Sequence, residues 1–152
     1  MRRSLTIGLA FVMSLFVLFG SPSAHAANLV LITLDEAKLP PPKIAVAMTA
    51  RGVTRGPQIE LVQATDPTKS PTHFQLKFLA HGGARIDPSS VQMTYLRTPD
   101  VDLSQRIKPF ITDGGVDIPD AVVPPGTHML RVDLKDSDGR AGTLSFVLNV
   151  AQ

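Results

Sequence analysis

The chain has 152 residues, of which 43% are hydrophobic and 18% are charged, and it contains neither cysteine nor tryptophan. The absence of cysteine excludes disulfide bonds and thiol redox chemistry, so a folded domain must be stabilised by packing alone. The formal net charge is only +2. A charge balance this close to neutral lacks the basic excess of proteins that bind nucleic acid or anionic membranes, and we expect neither partner.

The first 26 residues have the pattern of an export signal. Arg2 and Arg3 precede an uncharged apolar run over residues 5–19, and the tripeptide Ala-His-Ala ends at Ala26. The run is shorter than the roughly 20 residues that cross a bilayer. We therefore expect cleavage after Ala26, a mature chain without a membrane span, and a periplasmic or secreted location. Loss of the two arginines leaves 13 basic residues against 13 acidic ones, a neutral mature chain.

Prolines interrupt most of the mature chain, and apolar residues alternate with polar ones between them. Prolines disfavour helices, and alternation at period two predicts half-buried strands. We predict six or seven short strands, with residues 101–111 irregular or weakly extended. The clearest candidates are residues 130–134 and 144–150, with Asp138-Gly139 as the hairpin turn between them. Residues 74–78 and 91–95 also alternate, and residues 59–62 and 116–118 are shorter candidates.

Residues 27–56 differ from the rest and are predicted to form an N-terminal arm and linker. The apolar run 29–34 suggests an edge strand, residues 35–38 one helical turn, and Ile44 to Met48 a further strand. An apolar run left bare in water invites aggregation, so we expect it to pack on its own domain. The alternatives are that the arm stays mobile or that it pairs with a partner or a second copy.

Several motifs between Pro57 and Val150 resemble those of bacterial immunoglobulin-like domains of exported proteins. They are Ile86-Asp87-Pro88-Ser89-Ser90-Val91, Val101-Asp102-Leu103-Ser104, Val123-Pro124-Pro125-Gly126-Thr127-His128, and the run Val132-Asp133-Leu134-Lys135-Asp136-Ser137-Asp138-Gly139-Arg140. We expect Pro88 to make a turn before a strand at Val91, and Gly126 to let the chain reverse into a strand at His128. The resemblance implies a β-sandwich with a role in adhesion, spacing or recruitment.

The chain is also similar in architecture to the periplasmic copper-carrier proteins, which have a Pro-x-Gly-Thr turn and an Asp-Gly-His motif. The corresponding triplet here is Asp138-Gly139-Arg140. A guanidinium has no acceptor and cannot replace the histidine ligand. A second ligand of the family is lacking because the mature chain would begin with Ala27.

The histidines of the mature chain, His73, His81 and His128, do not form a metal-ligand pattern. His73 and His81 flank one predicted strand and lie roughly 25 Å apart at about 3.3 Å per residue. We expect them in turns or on the surface. His128 shares a strand face with Leu130, which predicts a ring packed over the end of the sandwich.

Other site chemistry is equally sparse. Asp133, Asp136 and Asp138, with Asp100 and Asp102 elsewhere, are candidate calcium ligands, but no bidentate glutamate follows them. No Gly-x-Ser-x-Gly elbow and no phosphate-binding glycine loop is present. Tyr95, the sole tyrosine, lies in a predicted strand, where core or cross-strand packing is the ordinary role.

The sequence therefore predicts an all-β, immunoglobulin-like β-sandwich over residues 57–152, preceded by the signal peptide 1–26 and the arm 27–56. We predict no catalytic, cofactor-binding or metal-binding residue and no enzymatic activity. The predicted function is that of an exported binding or structural module that contacts an envelope or extracellular protein. The alternative is a periplasmic carrier of a metal ion or a small ligand.

Overall fold

The computed structural model describes residues 28–43, 56–62 and 66–152. The predicted signal segment and the predicted strand at Ile44 to Met48 lie outside these residues. In chain order the elements are β1 (Leu29–Val30), α1 (Leu34–Ala37), β2 (Gln58–Val62), β3 (Thr72–Leu79), β4 (Ile86–Tyr95), β5 (Val101–Asp102), α2 (Ser104–Ile107), a 3-10 turn (Lys108–Phe110), β6 (Ile111–Thr112), β7 (Gly115–Val122), β8 (Gly126–Asp136) and β9 (Ala141–Val150).

The strands form two sheets, so the all-β prediction is confirmed. The first sheet has the order β1-β7-β3-β2, with β6 also paired to β7, and the second has the order β5-β4-β8-β9. All pairings are antiparallel except that of β1 with β7. The six longer strands coincide with the six alternating segments of the sequence, because alternation marks strands with one buried face.

The core is formed by the inward-facing side chains of both sheets, an arrangement that fits a β-sandwich. Phe74 of β3 stacks on Phe146 of β9 with 6.1 Å between ring centroids, which joins the two layers. The other core side chains come from every long strand, and both sheets contribute side chains that are almost completely enclosed: Leu76, Val116, Ile118, Met93, Tyr95, Leu130, Val132 and Leu134.

The closing hairpin β8–β9 is the most regular part of the fold. Ten consecutive residue pairs run from Gly126 opposite Val150 to Lys135 opposite Ala141, without a bulge. Gly139 has a φ of +76°, in the region that glycine adopts without strain, and the predicted Asp-Gly turn is confirmed.

The expectation for Pro88 was wrong, because this proline lies inside β4 and not in a turn before it. The pairing of β4 with β8 is irregular between Asp87 and Gln92, and Pro88 lies in that irregular stretch. Proline has no N–H to donate and is tolerated where the ladder is interrupted. Asp87 Oδ1 accepts the Ser89 N–H at 2.9 Å, which is a local hydrogen bond within the irregular stretch.

Residues 101–111 are more ordered than the sequence predicted. Asp102 Oδ1 accepts the N–H of Ser104 at 2.8 Å, where α2 begins. Leu103 and Ile107, four positions apart, are fully buried. Four residues form a single helical turn, too short for helical periodicity to be recognised in the sequence.

The arm packs on the sheets. β1 is the edge strand next to β7, and Leu31 and Ile32 are buried completely. The Arg106 guanidinium holds the arm from α2, donating to the Leu31 carbonyl at 2.9 Å and forming a 2.6 Å ion pair with Glu36. The hydrogen bond from Arg106 outweighs the effect of burial and lowers the pKa of Glu36 to about 2.

Candidate functional site

Three features of the described residues bear on function: a buried histidine network, an aspartate cluster and an apolar groove. His73 and His81, the described histidines outside this network, are exposed, as predicted. His73 Nε2 lies 2.6 Å from Asp117 Oδ1 across the β3–β7 pair, and His81 lies in the loop after β3. The structure therefore does not bring His73 and His81 together with His128.

The histidine network lies where β7 passes into β8. His128 is 1% exposed, and its Nε2 lies 2.8 Å from the carbonyl oxygen of Pro124 while its Nδ1 lies 2.9 Å from the hydroxyl of Tyr95. Arg97 Nε lies 2.7 Å from the same hydroxyl, and its guanidinium covers the Tyr95 ring at 4.9 Å. The predicted burial of Tyr95 and of the His128 ring is confirmed.

The donors and acceptors of this network permit one consistent arrangement with neutral groups. A carbonyl only accepts, so His128 Nε2 carries the hydrogen and Nδ1 accepts from Tyr95. Tyr95 in turn accepts from Arg97. Burial lowers the pKa of His128, and burial raises the pKa of Tyr95, so both groups stay neutral near pH 7. Both His128 nitrogens are therefore engaged in hydrogen bonds.

Acid should weaken this network, and we expect stability to fall as the pH drops below about 6.5. The folded-state pKa of His128 lies below its ordinary value, so the unfolded chain binds a proton there first. One such group contributes a slope of at most about 1.4 kcal/mol per pH unit. Urea unfolding of His128→Gln between pH 6.5 and 5 should show a flatter slope than the unaltered protein.

The control is His73→Gln, which removes an exposed histidine. In the unaltered protein, an NMR pH titration of the His128 ring should give a midpoint below the ordinary histidine value of about 6.5. A midpoint at or above that value, or identical slopes for His128→Gln and the unaltered protein, would contradict the prediction.

The aspartate cluster consists of Asp133, Asp136 and Asp138, whose carboxylates form hydrogen bonds and ion pairs within the β8–β9 hairpin. Asp136 is buried, and its Oδ1 accepts the N–H groups of Asp138 and Arg140 while its Oδ2 lies 2.8 Å from Arg140 Nε. Burial alone would raise the pKa of Asp136, but hydrogen bonds from the backbone and side chain of Arg140 lower it. Asp133 instead accepts from Arg131 and, at 2.6 Å, from the Thr143 hydroxyl. Within the described residues no group of three potential ligands converges on a metal position.

The apolar groove lies beside β1 and the end of β7. Its volume is about 590 Å³, within the range of small-molecule and peptide sites. Its lining residues come from four separate segments of the chain: Val30 and Ile32 to Leu34, Lys69-Ser70, Val122 to Pro125, and Ala151-Gln152. Val30 is 47% exposed and Leu34 is 66% exposed, so the groove is open to solvent.

The polar residues that line the groove are Thr33, Lys69, Ser70 and Gln152. Ser70 Oγ accepts the N–H of Val123 at 3.0 Å, which leaves its own hydrogen free to donate among the described residues. Lys69 is exposed and forms no ion pair within the described part of the chain. The groove thus combines a mainly aliphatic lining with one charged side chain, Lys69, and the adjacent hydroxyl of Ser70.

Sequence reasoning missed this groove and the Tyr95–His128–Arg97 contacts. The apolar run 29–34 was expected to pack on the domain. Leu31 and Ile32 are buried there, whereas Val30 and Leu34 are exposed to solvent. The sequence carried no local signal for the groove, because Val30 and Leu34 have the same apolar character as the buried Leu31 and Ile32.

These features define an all-β protein of two sheets with a solvent-open apolar groove. No family model matches the chain, and neither a curated protein nor a solved structure matches it. None of the helices in the described residues is long and apolar enough to span a membrane.

Proposed function

We propose that this chain is an immunoglobulin-like, non-catalytic binding module that contacts another protein through the apolar groove. The strand order supports the fold assignment. β2-β3-β7 has the order of strands A, B and E of an immunoglobulin domain, and β4-β8-β9 has the order of strands C, F and G. The difference is that β1, from the arm, and β6 both border β7, where strand D alone would lie.

His128 adds to this support. Immunoglobulin-type domains place a tyrosine near the start of strand F, and its hydroxyl bonds to the backbone a few residues upstream. His128 stands near the start of β8 and bonds to the carbonyl of Pro124, four residues upstream. The histidine network is accordingly a structural corner and supplies no catalytic group.

The proposed location is the periplasm or the exterior, which rests on the pattern of the first 26 residues. We expect amino-terminal sequencing of the exported protein to begin at Ala27. Substitution of Ala26 by a large residue should block cleavage and leave a longer, membrane-associated chain. An unaltered chain that retains Met1 in the membrane fraction would contradict the export proposal.

The observation that carries the binding proposal is the exposure of Val30 and Leu34 beside an aliphatic groove. An open, concave surface lined mainly by aliphatic side chains is the usual form of a binding site. A photo-crosslinking amino acid at position 34 tests this in envelope extracts. We expect a discrete protein adduct that disappears when Val30→Asp is combined with the probe.

A probe at position 92 serves as the matched control. Gln92 is exposed on β4 in the second sheet, which does not line the groove. The same adducts from both positions, or no adduct from position 34, would contradict binding through the groove.

The volume of the groove favours a second candidate, a carrier of a small ligand. For a metal cargo we expect no stoichiometric binding, because both nitrogens of His128 are already bonded and Arg140 is paired with Asp136. Calorimetric titration with Cu(II) should give no site tighter than micromolar. Sub-micromolar binding that is lost in His128→Ala or His81→Ala would favour the carrier.

A further inference from the structure

We propose that the groove selects an extended aliphatic peptide segment that bears a carboxylate, with Lys69 and Ser70 binding that carboxylate. The inference rests on the proposed function and adds the chemistry of the partner. The lining consists of valine, isoleucine, leucine, proline and alanine side chains over most of its extent, and Lys69 is its one charged side chain among the described residues. An aliphatic lining fits an aliphatic occupant.

We infer the charge of the occupant from Lys69 and Ser70. The Lys69 ammonium group is positively charged and has no acidic partner in the described part of the chain. The adjacent Ser70 has a hydroxyl hydrogen to donate. The Val123 N–H fixes the position of Ser70 Oγ, and its hydroxyl hydrogen can rotate towards an acceptor. A carboxylate accepts from both groups, whereas a cation would be repelled by Lys69.

The open shape favours a peptide over a free fatty acid, which has the same combination of aliphatic chain and carboxylate. A small-molecule site encloses most of its ligand's surface. Val30 and Leu34 are 47% and 66% exposed in the free protein, so the open groove does not enclose an acyl chain in this way. When the occupant is a segment of a larger protein, the rest of that protein can also cover Val30 and Leu34 in the complex.

NMR titration of the complete mature protein with two synthetic peptides tests the inference. Both are acetylated, amidated pentapeptides of alternating threonine and valine, and they differ only in a final aspartate or asparagine. We expect shifts at Val30, Leu34 and Val122 with both, and about fivefold tighter binding of the aspartate peptide, as one exposed ion pair provides.

Charge reversal at the groove is the decisive variant. Lys69→Glu should abolish the preference for the aspartate peptide, while Lys135→Glu, at an exposed position on β8, should leave it unchanged. Equal binding of both peptides to the unaltered groove would overturn the carboxylate inference and leave the proposed function intact.

Decanoate is the third probe. Shifts of groove residues with decanoate but not with either peptide would overturn the peptide inference and favour the carrier. No shift with any probe would also overturn it. The crosslinking at position 34 then decides independently whether the groove binds protein at all.

Discussion

The Phe146→Asp variant should lose most or all of its folding free energy. Phe146 is 8% exposed and stacks on Phe74, so an aspartate there buries an unpaired charge and removes the contact between the two sheets. The combined cost is several kcal/mol, comparable with the whole stability of an ordinary domain. Thermal unfolding monitored by circular dichroism should show a greatly lowered midpoint or no cooperative transition.

Ser145→Asp is the matched control on the neighbouring position. Ser145 alternates with Phe146 along β9 and lies opposite Arg131 of β8, so a carboxylate there remains near water and near a cation. We expect a change within about 0.5 kcal/mol. Equal unfolding midpoints for the two variants would show that the inward face of β9 has been assigned wrongly.

Removal of the arm, residues 27–39, should have the second largest effect. It takes away Leu31 and Ile32, which are fully buried, and uncovers the edge of β7 to which β1 is paired. It also leaves Arg106 without its ion-pair partner. Loss of one buried leucine alone costs about 2–5 kcal/mol, so we expect lower stability together with aggregation at the bared edge.

Two point variants separate packing from recruitment. Leu31→Ala should reproduce much of the destabilisation, whereas Leu34→Ala, at an exposed position, should leave the unfolding midpoint nearly unchanged. Chemical unfolding and analytical ultracentrifugation provide the measurements. A truncated chain that is as stable and as monomeric as the complete one would contradict the structural role and make the arm a recruitment element.

Elements whose signals are local could be predicted from the sequence. The alternation of Leu144, Phe146 and Leu148 predicts β9 because successive side chains of a strand face opposite ways. Asp138-Gly139 predicts the hairpin turn because glycine adopts its backbone conformation without strain. The assignment of Tyr95 and His128 to buried strand faces had the same basis. Pro88 was placed wrongly because a proline marks a turn or an interrupted ladder equally well.

What only the tertiary structure decided is which distant segments meet. Strand patterns carry no information on the neighbour of each strand, so the parallel pairing of β1 with β7 was not predictable. Tyr95 and His128 are 33 residues apart, and their hydrogen bond depends on the pairing of β4 with β8. The groove combines four segments, and its exposed Val30 and Leu34 have the same sequence character as the buried Leu31. Hydrophobicity favours burial of all three, and the packing geometry of the sheets determines which of them is buried.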